Sequence, residues 1–174
     1  MKKLGWIISK IKSKFCKAPK SYEIMNNYYR RGGAHIGNNC CICSNLDLCE
    51  KELLFIGDNV IISTDVLFVT HDVSASITSN KEGSFFGKIV IGNNNFIGER
   101  STLIYGVSLA DNIIVAAGSV VTKSFPKSGI IIGGNPAHII GNVDDFVKKN
   151  DNNYIMLSEL KRSIENNDVR LIKR

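Results

Sequence analysis

Aliphatic residues recur at every sixth position through most of the chain. From Ile91 onward the sequence divides into six-residue units that mostly begin with Ile, Leu or Val, and the same phase is present upstream from Ile36. The first positions of these units are Ile36, Ile42, Ile56, Ile62, Phe68, Ile91, Ile97, Leu103, Leu109, Val115 and Val121. Self-similarity at a period of six is typical of a parallel β-helix, so the pattern predicts an all-β solenoid.

The fifth position of each unit supports this prediction. Side chains alternate between the two faces of a strand, so an inward first residue implies that the fifth residue points inward as well. These fifth positions hold mostly small or apolar residues: Cys40, Leu46, Val60, Val66, Ser101, Val107, Ile113 and Ser119. The Gly, Asn and Asp residues between them tolerate the positive φ of tight corners. Three units therefore form one triangular coil, and the coils stack about 4.8 Å apart.

The repeat divides the chain into three parts. Residues 32–141 carry the units, interrupted at 73–90 by an insertion, and insertions of this length are typical of functional loops. Residues 1–31 are a basic amphipathic segment, and residues 142–174 form a tail with helical apolar spacing. A β-sandwich would space its strands about 8 to 12 residues apart, which disfavours that class.

The net charge of +6 is concentrated near the N-terminus. Residues 1–31 contain nine Lys and Arg but only Glu23 as an acid, which gives this segment +8 and leaves the remainder at −2. A basic appendage of this kind does not indicate nucleic-acid binding by the main domain. Its apolar stripe comprises Leu4, Ile7, Ile8, Ile11 and Phe15. The stripe predicts packing against the solenoid or a neighbouring subunit or, as the alternative, docking of residues 1–20 on an anionic membrane surface.

The cysteines and the absence of a long apolar run predict a cytoplasmic protein. Cys16, Cys40, Cys41, Cys43 and Cys49 are an odd number, and the stretch LGWIISKIK lacks a signal-peptide cleavage pattern. The CCIC motif lacks the paired C-x₂-C spacing of a zinc knuckle. We therefore expect no metal.

The stretch FVTHDVS, residues 68–74, carries the candidate chemistry. Phe68 begins its unit, so His71 occupies the fourth position and is predicted to point outward, at the root of the insertion. A histidine in such a place can act as a general base, because the ordinary pKa of its side chain is close to neutral pH.

The stretches VAAGSVVTKSFP and IIIGGNPAHII carry a more specific signal. Together with the repeat over about residues 32–141, they resemble the hexapeptide-repeat acyltransferases, in the galactoside, maltose and polysaccharide O-acetyltransferase branch. The resemblance implies a left-handed parallel β-helix, acetyl-CoA as co-substrate, and a homotrimer with active sites between neighbouring β-helices. FVTHDVS is most similar to enzymes that acetylate bacterial capsule or lipopolysaccharide sugars, which implies a sugar or oligosaccharide acceptor.

The same resemblance assigns catalytic roles. It implies that His71 takes a proton from the sugar hydroxyl and that the oxygen attacks the thioester directly; the sequence has no G-x-S-x-G elbow for an acyl-enzyme. The backbone amide of Glu99 falls where a donor to the developing negative charge is needed. Asn45 falls near the family's substrate-contacting asparagine, with a structural corner asparagine as the alternative. Three acids remain open as the partner of His71: Asp72, Asp65 and Asp47.

Substrate and cofactor contacts complete the implied site. Asp72, just before the insertion, and Phe85 and Phe86, within it, are expected to contact the acceptor. The residues implied for coenzyme A are Phe96, Gly98, Ala117, Thr122, Lys123, Pro136 and His138. The small residues among them have corner packing as an alternative role. The family usually has Lys or Arg after the exit Pro-Ala and often again three residues later, where this chain has His138 and Gly141. We therefore expect phosphate contacts at this end to be weaker, or to come from Lys123, Lys127 or a neighbouring chain.

Three other functions are known for or compatible with a solenoid of this kind. A serine or other small-molecule O-acetyltransferase shares the fold, but serine acetyltransferases would be expected to carry a larger helical N-terminal domain than residues 1–31. The γ-type carbonic anhydrases bind zinc through closely paired histidines, whereas His35, His71 and His138 stand 36 and 67 residues apart. A non-catalytic trimeric scaffold would not bind coenzyme A.

Overall fold

Short parallel strands form three sheets in the computed structural model, which describes residues 2–46, 48–78, 83–151 and 154–166. The first sheet contains β1 (His35–Ile36), β3 (Leu54–Ile56), β8 (Ile89–Ile91) and β11 (Ser108–Leu109). The second contains β2 (Cys41–Ile42), β4 (Ile61–Ile62), β9 (Phe96–Ile97), β12 (Ile114–Val115) and β14 (Ile130–Gly134). The third contains β5 (Leu67–Val69), β10 (Thr102–Ile104) and β13 (Val120–Val121). The chain visits the three sheets in turn, so it coils as a three-sided solenoid.

The core confirms the phase of the six-residue units. All eleven first positions and all eight named fifth positions are buried. Equivalent residues of successive coils pair in register: Ile56 with Ile91, Ile62 with Ile97, and Phe68 with Leu103. Each buried aliphatic side chain stabilises the fold by about 1.5–3 kcal/mol, so the stacked rows of the interior account for most of the favourable free energy.

Three edges separate the sheets, and most corners turn at the fourth position of a unit. Positive φ occurs there at Asn39, Asn59, Asp65, Asn94, Arg100, Gly106, Asn112 and Gly118. We call the edge between the third and first sheets the His71 edge, and the edge between the second and third sheets the Glu99 edge. Along the remaining asparagine edge, Asn39 donates to Asn59 (3.3 Å) and Asn59 to Asn94 (3.1 Å), which ties successive coils together.

Helices flank the solenoid at both ends. Helices α1 (Lys2–Lys14) and α2 (Lys20–Arg31) pack against each other, and α2 contacts β1 and β2. After the solenoid, β14 turns into the antiparallel β15 (Ala137–Asn142), followed by α4 (Val143–Asn150) and α5 (Leu157–Glu165). The expected tail helix is present, but its Leu157 and Ile164 are largely exposed in the single chain. None of the described helices is long and apolar enough to cross a membrane.

Candidate active site

The chain leaves the solenoid at His71. At this fourth position the backbone does not turn with positive φ but continues as β6 (His71–Asp72). This strand pairs with β7 (Phe85–Phe86), and between them lie a short helix α3 (Ala75–Thr78) and residues 79–82, which are outside the described part. The returning chain closes on the coil, since the Gly87 amide donates to the Thr70 carbonyl at 3.1 Å. The insertion thus starts as a β-hairpin that carries His71 outward.

Glu50 is the acid that pairs with His71. The His71 Nδ1 lies 3.0 Å from Glu50 Oε2, and the Thr70 hydroxyl donates to the same oxygen at 2.8 Å. The hydrogen bond from Thr70, assisted by the one from His71, holds the pKa of Glu50 below its usual range, so the carboxylate is an acceptor. In the tautomer that donates from Nδ1 to Glu50, the lone pair of Nε2 is left as the free base of the ring.

This pairing corrects the expectation that the partner would be Asp72, Asp65 or Asp47. Asp72 accepts from the Ser74 amide at 2.8 Å, which lowers the pKa of Asp72. Asp65 lies at the Glu99 edge, 3.8 Å from Arg100, and Asp47 is outside the described residues. The only sequence signal for Glu50 is the break in the repeat at residues 48–55.

That break has a structural cause. The first coil contributes no strand to the third sheet within the described residues; a 3₁₀ turn at Lys51–Leu53 takes its place. The turn brings Glu50 beside Thr70 and His71, which belong to the next coil. His71 and Glu50 therefore come together because their two coils stack, although the residues are 21 positions apart in the sequence.

A cavity of about 340 Å³ opens beside His71. It is lined by Val69, His71, Asp72, Val73, Ile104 and Tyr105. The Tyr105 hydroxyl lies 3.5 Å from Asp72 Oδ2, which places a donor and an acceptor at one wall. The Phe86 ring centroid is 5.7 Å from that of His71, and both Phe85 and Phe86 are more than half exposed. Tyr105 and Ile104 had not been identified from the sequence.

A second cleft of about 340 Å³ contains four of the residues predicted to bind coenzyme A. Thr122, Lys123, Pro136 and His138 line it, with Asn135 and Ala137. Lys123, Pro136 and His138 are exposed, and the His138 Nδ1 is 3.4 Å from the Pro136 carbonyl oxygen. The cleft therefore offers a cation and apolar surface side by side.

One wall of the cleft lies along the same edge as the cavity. Phe68 pairs with Leu103 and Leu103 with Val121, so Thr70, Tyr105 and Lys123, each two residues later, follow one another down the His71 edge. A ligand extended along this edge would reach from Lys123 towards His71.

The remaining predicted residues lie elsewhere in the same chain. Phe96 is on the outer face of the second sheet, whereas Asn45, Gly98, Glu99 and Ala117 belong to the Glu99 edge. Asn45 accepts from the Tyr29 hydroxyl at 3.3 Å. A Cβ on Gly98 would lie 2.5 Å from the Ala117 amide nitrogen, so glycine is required there by close packing. One chain does not bring this group to His71.

Glu99 sits in a turn that leaves its amide free. The Ser101 amide bonds to the Gly98 carbonyl at 3.3 Å, and Arg100 has φ +57, which is the pattern of a type II turn with Glu99 at its second position. The Glu99 amide has no acceptor among the described residues, and Glu99 is exposed. This N–H is therefore available to a group outside its own chain.

Cys40, Cys41 and Cys43 lie on the first coil, in or next to its strand of the second sheet. Cys40 is buried, as its fifth position predicts, and the Cys41 and Cys43 sulfurs are 3.9 Å apart. Burial raises the pKa of Cys41, which keeps it protonated and a poor nucleophile.

Comparisons with known proteins identify the relatives of this chain. A family model described as "Hexapeptide repeat of succinyl-transferase" matches residues 88–123. Protein CapG of Staphylococcus aureus is 35% identical over 144 residues, which cover 80% of this chain and 83% of CapG. The chain belongs to the hexapeptide-repeat acetyltransferase family. Galactoside O-acetyltransferase of Escherichia coli K12 is 38% identical over 113 residues, and that match covers 64% of this chain but only 55% of the relative.

A solved member of the hexapeptide-repeat acetyltransferases shares the fold. The structure of a galactoside acetyltransferase in complex with coenzyme A superposes with a TM-score of 0.56 at 24% identity, covering 83% of this chain and 85% of that one. The superposition covers more of the chain than the 36 residues that the family model matches.

Proposed function

We propose that this chain is an acetyl-CoA-dependent O-acetyltransferase that acts on a sugar hydroxyl in surface-polysaccharide biosynthesis, with His71 as general base. The observation that carries the proposal is the His71–Glu50 hydrogen bond of 3.0 Å beside an open cavity. It leaves Nε2 free to accept a proton at the wall of that cavity. The relationship to a galactoside O-acetyltransferase supports a sugar as the acceptor.

His71 and Glu50 perform the proton transfers. Nε2 of His71 removes the proton of the acceptor hydroxyl as its oxygen forms a bond to the carbonyl carbon of the thioester. The Glu50 carboxylate, which faces Nδ1, stabilises the imidazolium that results. When the carbon–sulfur bond breaks, His71 returns the proton to the thiolate, which leaves the acetylated sugar and free coenzyme A. No covalent intermediate on the protein is needed.

Coenzyme A fits the cleft of Lys123 and His138. The ammonium of Lys123 is exposed and can meet a phosphate, whereas Pro136, Ala137 and the small residues nearby leave room for the pantetheine arm. From there the arm would follow the His71 edge to the thioester position. Tyr105 lies midway along this edge, and Phe86 and Asp72 border the space left for the acceptor.

We further propose a left-handed solenoid that assembles as a homotrimer. His71 and the free Glu99 amide lie on different edges of one chain, so an oxyanion donor can reach the thioester only from a neighbouring copy. The outer face of the second sheet supports such contacts, since its apolar residues pair in register from coil to coil: Ile61, Phe96, Ile114 and Ile131. Ile61 is 46% and Phe96 38% exposed in the single chain, which favours burial in an assembly.

Release of free coenzyme A from acetyl-CoA in the presence of different acceptors tests the function. The acceptors are free sugars, nucleotide sugars, oligosaccharides and L-serine, with His71→Ala as the control protein. The proposal expects release that requires a sugar and is lost in His71→Ala. Release stimulated by L-serine alone would assign a serine acetyltransferase, and failure to bind coenzyme A at all would indicate a scaffold.

A further inference from the structure

Helix α1 packs Trp6 and three small residues inward and exposes its aliphatic residues. Its partly buried positions are Gly5, Trp6, Ser9 and Ser13, and a Cβ on Gly5 would lie 3.5 Å from the ring of Tyr28 in α2. The apolar stripe lies on the opposite side of the helix, given 3.6 residues per turn. Its members are 44% to 86% exposed: Leu4, Ile7, Ile8, Ile11 and Phe15. The stripe therefore does not pack against its own solenoid.

Lysines flank the exposed stripe. Residues 1–20 contain seven lysines and no acidic residue. By helical periodicity, Lys10 and Lys14 lie on one flank of the stripe and Lys12 on the other, and all three are exposed. Long lysine side chains in this arrangement can reach an anionic surface while the apolar residues between them enter a nonpolar layer.

We propose that α1 docks the protein on an anionic membrane surface, with the stripe in the interfacial region and the lysines at the lipid phosphates. A second copy of this chain is a less suitable partner for the stripe. A symmetric contact would bring two basic helices together, and the rest of each chain carries a net charge of only −2. An anionic bilayer supplies both features of the complementary surface, a nonpolar layer and negative charge. The helix does not span the bilayer but lies on it.

Flotation of the full chain with lipid vesicles tests the proposal. One set of vesicles is phosphatidylcholine with about 30 mol% phosphatidylglycerol, and the other is phosphatidylcholine alone. We expect association with the anionic vesicles, weakening as salt is raised, and little association with the neutral ones. The double variant Ile11→Glu/Phe15→Glu should bind at least about tenfold more weakly. The matched control is Ile164→Glu, the same change at an exposed isoleucine of α5, and should bind like the wild type.

Each other outcome overturns the proposal. Absence of association with anionic vesicles, equal association with neutral ones, or full association of the double variant would each contradict it. A lower sedimentation coefficient of the double variant without lipid would show that the stripe joins copies of the chain instead. Acetyl transfer to a soluble acceptor, measured on the same samples, separates this result from the proposed activity, since α1 contributes no residue to the His71 edge.

Discussion

The Nδ1 of His71 lies 3.0 Å from Oε2 of Glu50, a residue 21 positions earlier and in the preceding coil. The same carboxylate oxygen accepts the Thr70 hydroxyl at 2.8 Å, so its orientation is set by two donors of one coil. A neutral histidine that donates from Nδ1 to this carboxylate keeps the lone pair of Nε2 for a substrate. This relationship makes His71 a candidate general base on geometry, independently of family resemblance.

Replacement of His71 tests the base directly. His71→Ala should lower kcat by roughly 10² to 10⁴, because proton abstraction is lost. The KM for acetyl-CoA should stay close to that of the wild type, since the cleft of Lys123 and His138 is untouched. The side chain is 38% exposed, so the free energy of unfolding should change by less than about 1 kcal/mol. A variant that keeps more than about a tenth of the wild-type kcat would reject general-base catalysis at this position.

The other two histidines serve as controls. His35 stacks on Phe55 with ring centroids 4.2 Å apart, so His35→Ala should affect stability and leave kcat unchanged. His138→Ala should raise the KM for acetyl-CoA without changing kcat. Steady-state kinetics and a melting curve of each variant distinguish these results.

Replacement of Glu50 tests its positioning role. Glu50→Gln should lower kcat by less than His71→Ala does and should leave the KM for acetyl-CoA unchanged, because the amide still accepts a hydrogen bond but no longer stabilises the imidazolium. Unchanged kcat in both Glu50→Gln and Glu50→Ala would remove Glu50 from the mechanism.

The stability of Glu50→Gln relative to the wild type should depend on pH. The pKa of Glu50 is lowered in the folded state, so its contribution to stability is present above the usual carboxyl pKa and is lost as the pH falls through the folded-state value. The melting temperature of Glu50→Gln should therefore lie below that of the wild type at neutral pH, and the difference should shrink in acid. Calorimetry that finds a constant difference from neutral to acidic pH would contradict this role.

Much of the fold, and less of the site, could be predicted from the sequence. The buried rows of the core follow from the repeat, because each six-residue unit forms one side of a coil and places its first residue inside. The position of His71 within its unit likewise assigns its side chain to the outside. Glu50 could not be found, because the repeat is broken at 48–55 and contacts between coils depend on how many residues each coil contains. Tyr105 was missed for the same reason, since it reaches Asp72 across 33 residues.

The orientation of α1 relative to the rest of the protein could not be predicted from the sequence either. Periodicity locates the stripe of Leu4, Ile8 and Phe15 but does not say which side faces the protein. That choice depends on the packing of α1 against its neighbours: a Cβ at Gly5 would lie 3.5 Å from the Tyr28 ring of α2, and Trp6 packs against the core.

The contact between Gly87, near the end of the insertion, and the next coil of the solenoid should be sensitive to a single added methyl group. A Cβ on Gly87 would lie 2.6 Å from the backbone nitrogen of Gly106, so Gly87→Ala should destabilise the protein by about 1–3 kcal/mol and displace the strand beside His71. Gly83→Ala is the matched control, with no atom within 4 Å of its Cβ, and should stay within about 0.5 kcal/mol of the wild type. Equal melting temperatures for the two variants would show that the contact at Gly87 can adjust to accommodate the methyl group.

A charge on the outer face of the second sheet should prevent assembly. Ile114 pairs with Phe96 on one side and Ile131 on the other, so Ile114→Asp would introduce an unpaired carboxylate within the apolar row and should yield monomers with little activity. Val90→Asp, on the outer face of the first sheet, is the control and should remain assembled. Sedimentation equilibrium measures both. A wild type that is monomeric at micromolar concentration would contradict the trimer.

The central claim is that each site combines His71 of one chain with the Glu99 amide of another, and co-expression of two inactive variants tests it most directly. His71→Ala removes the base, whereas Glu99→Pro removes the N–H and suits the second position of the type II turn at 98–101. Each variant alone should be nearly inactive. In mixed trimers formed at random, about a quarter of the sites should contain both wild-type groups, so about a quarter of the wild-type kcat should return. If the mixture is no more active than the better of the two variants alone, the site is not shared between chains.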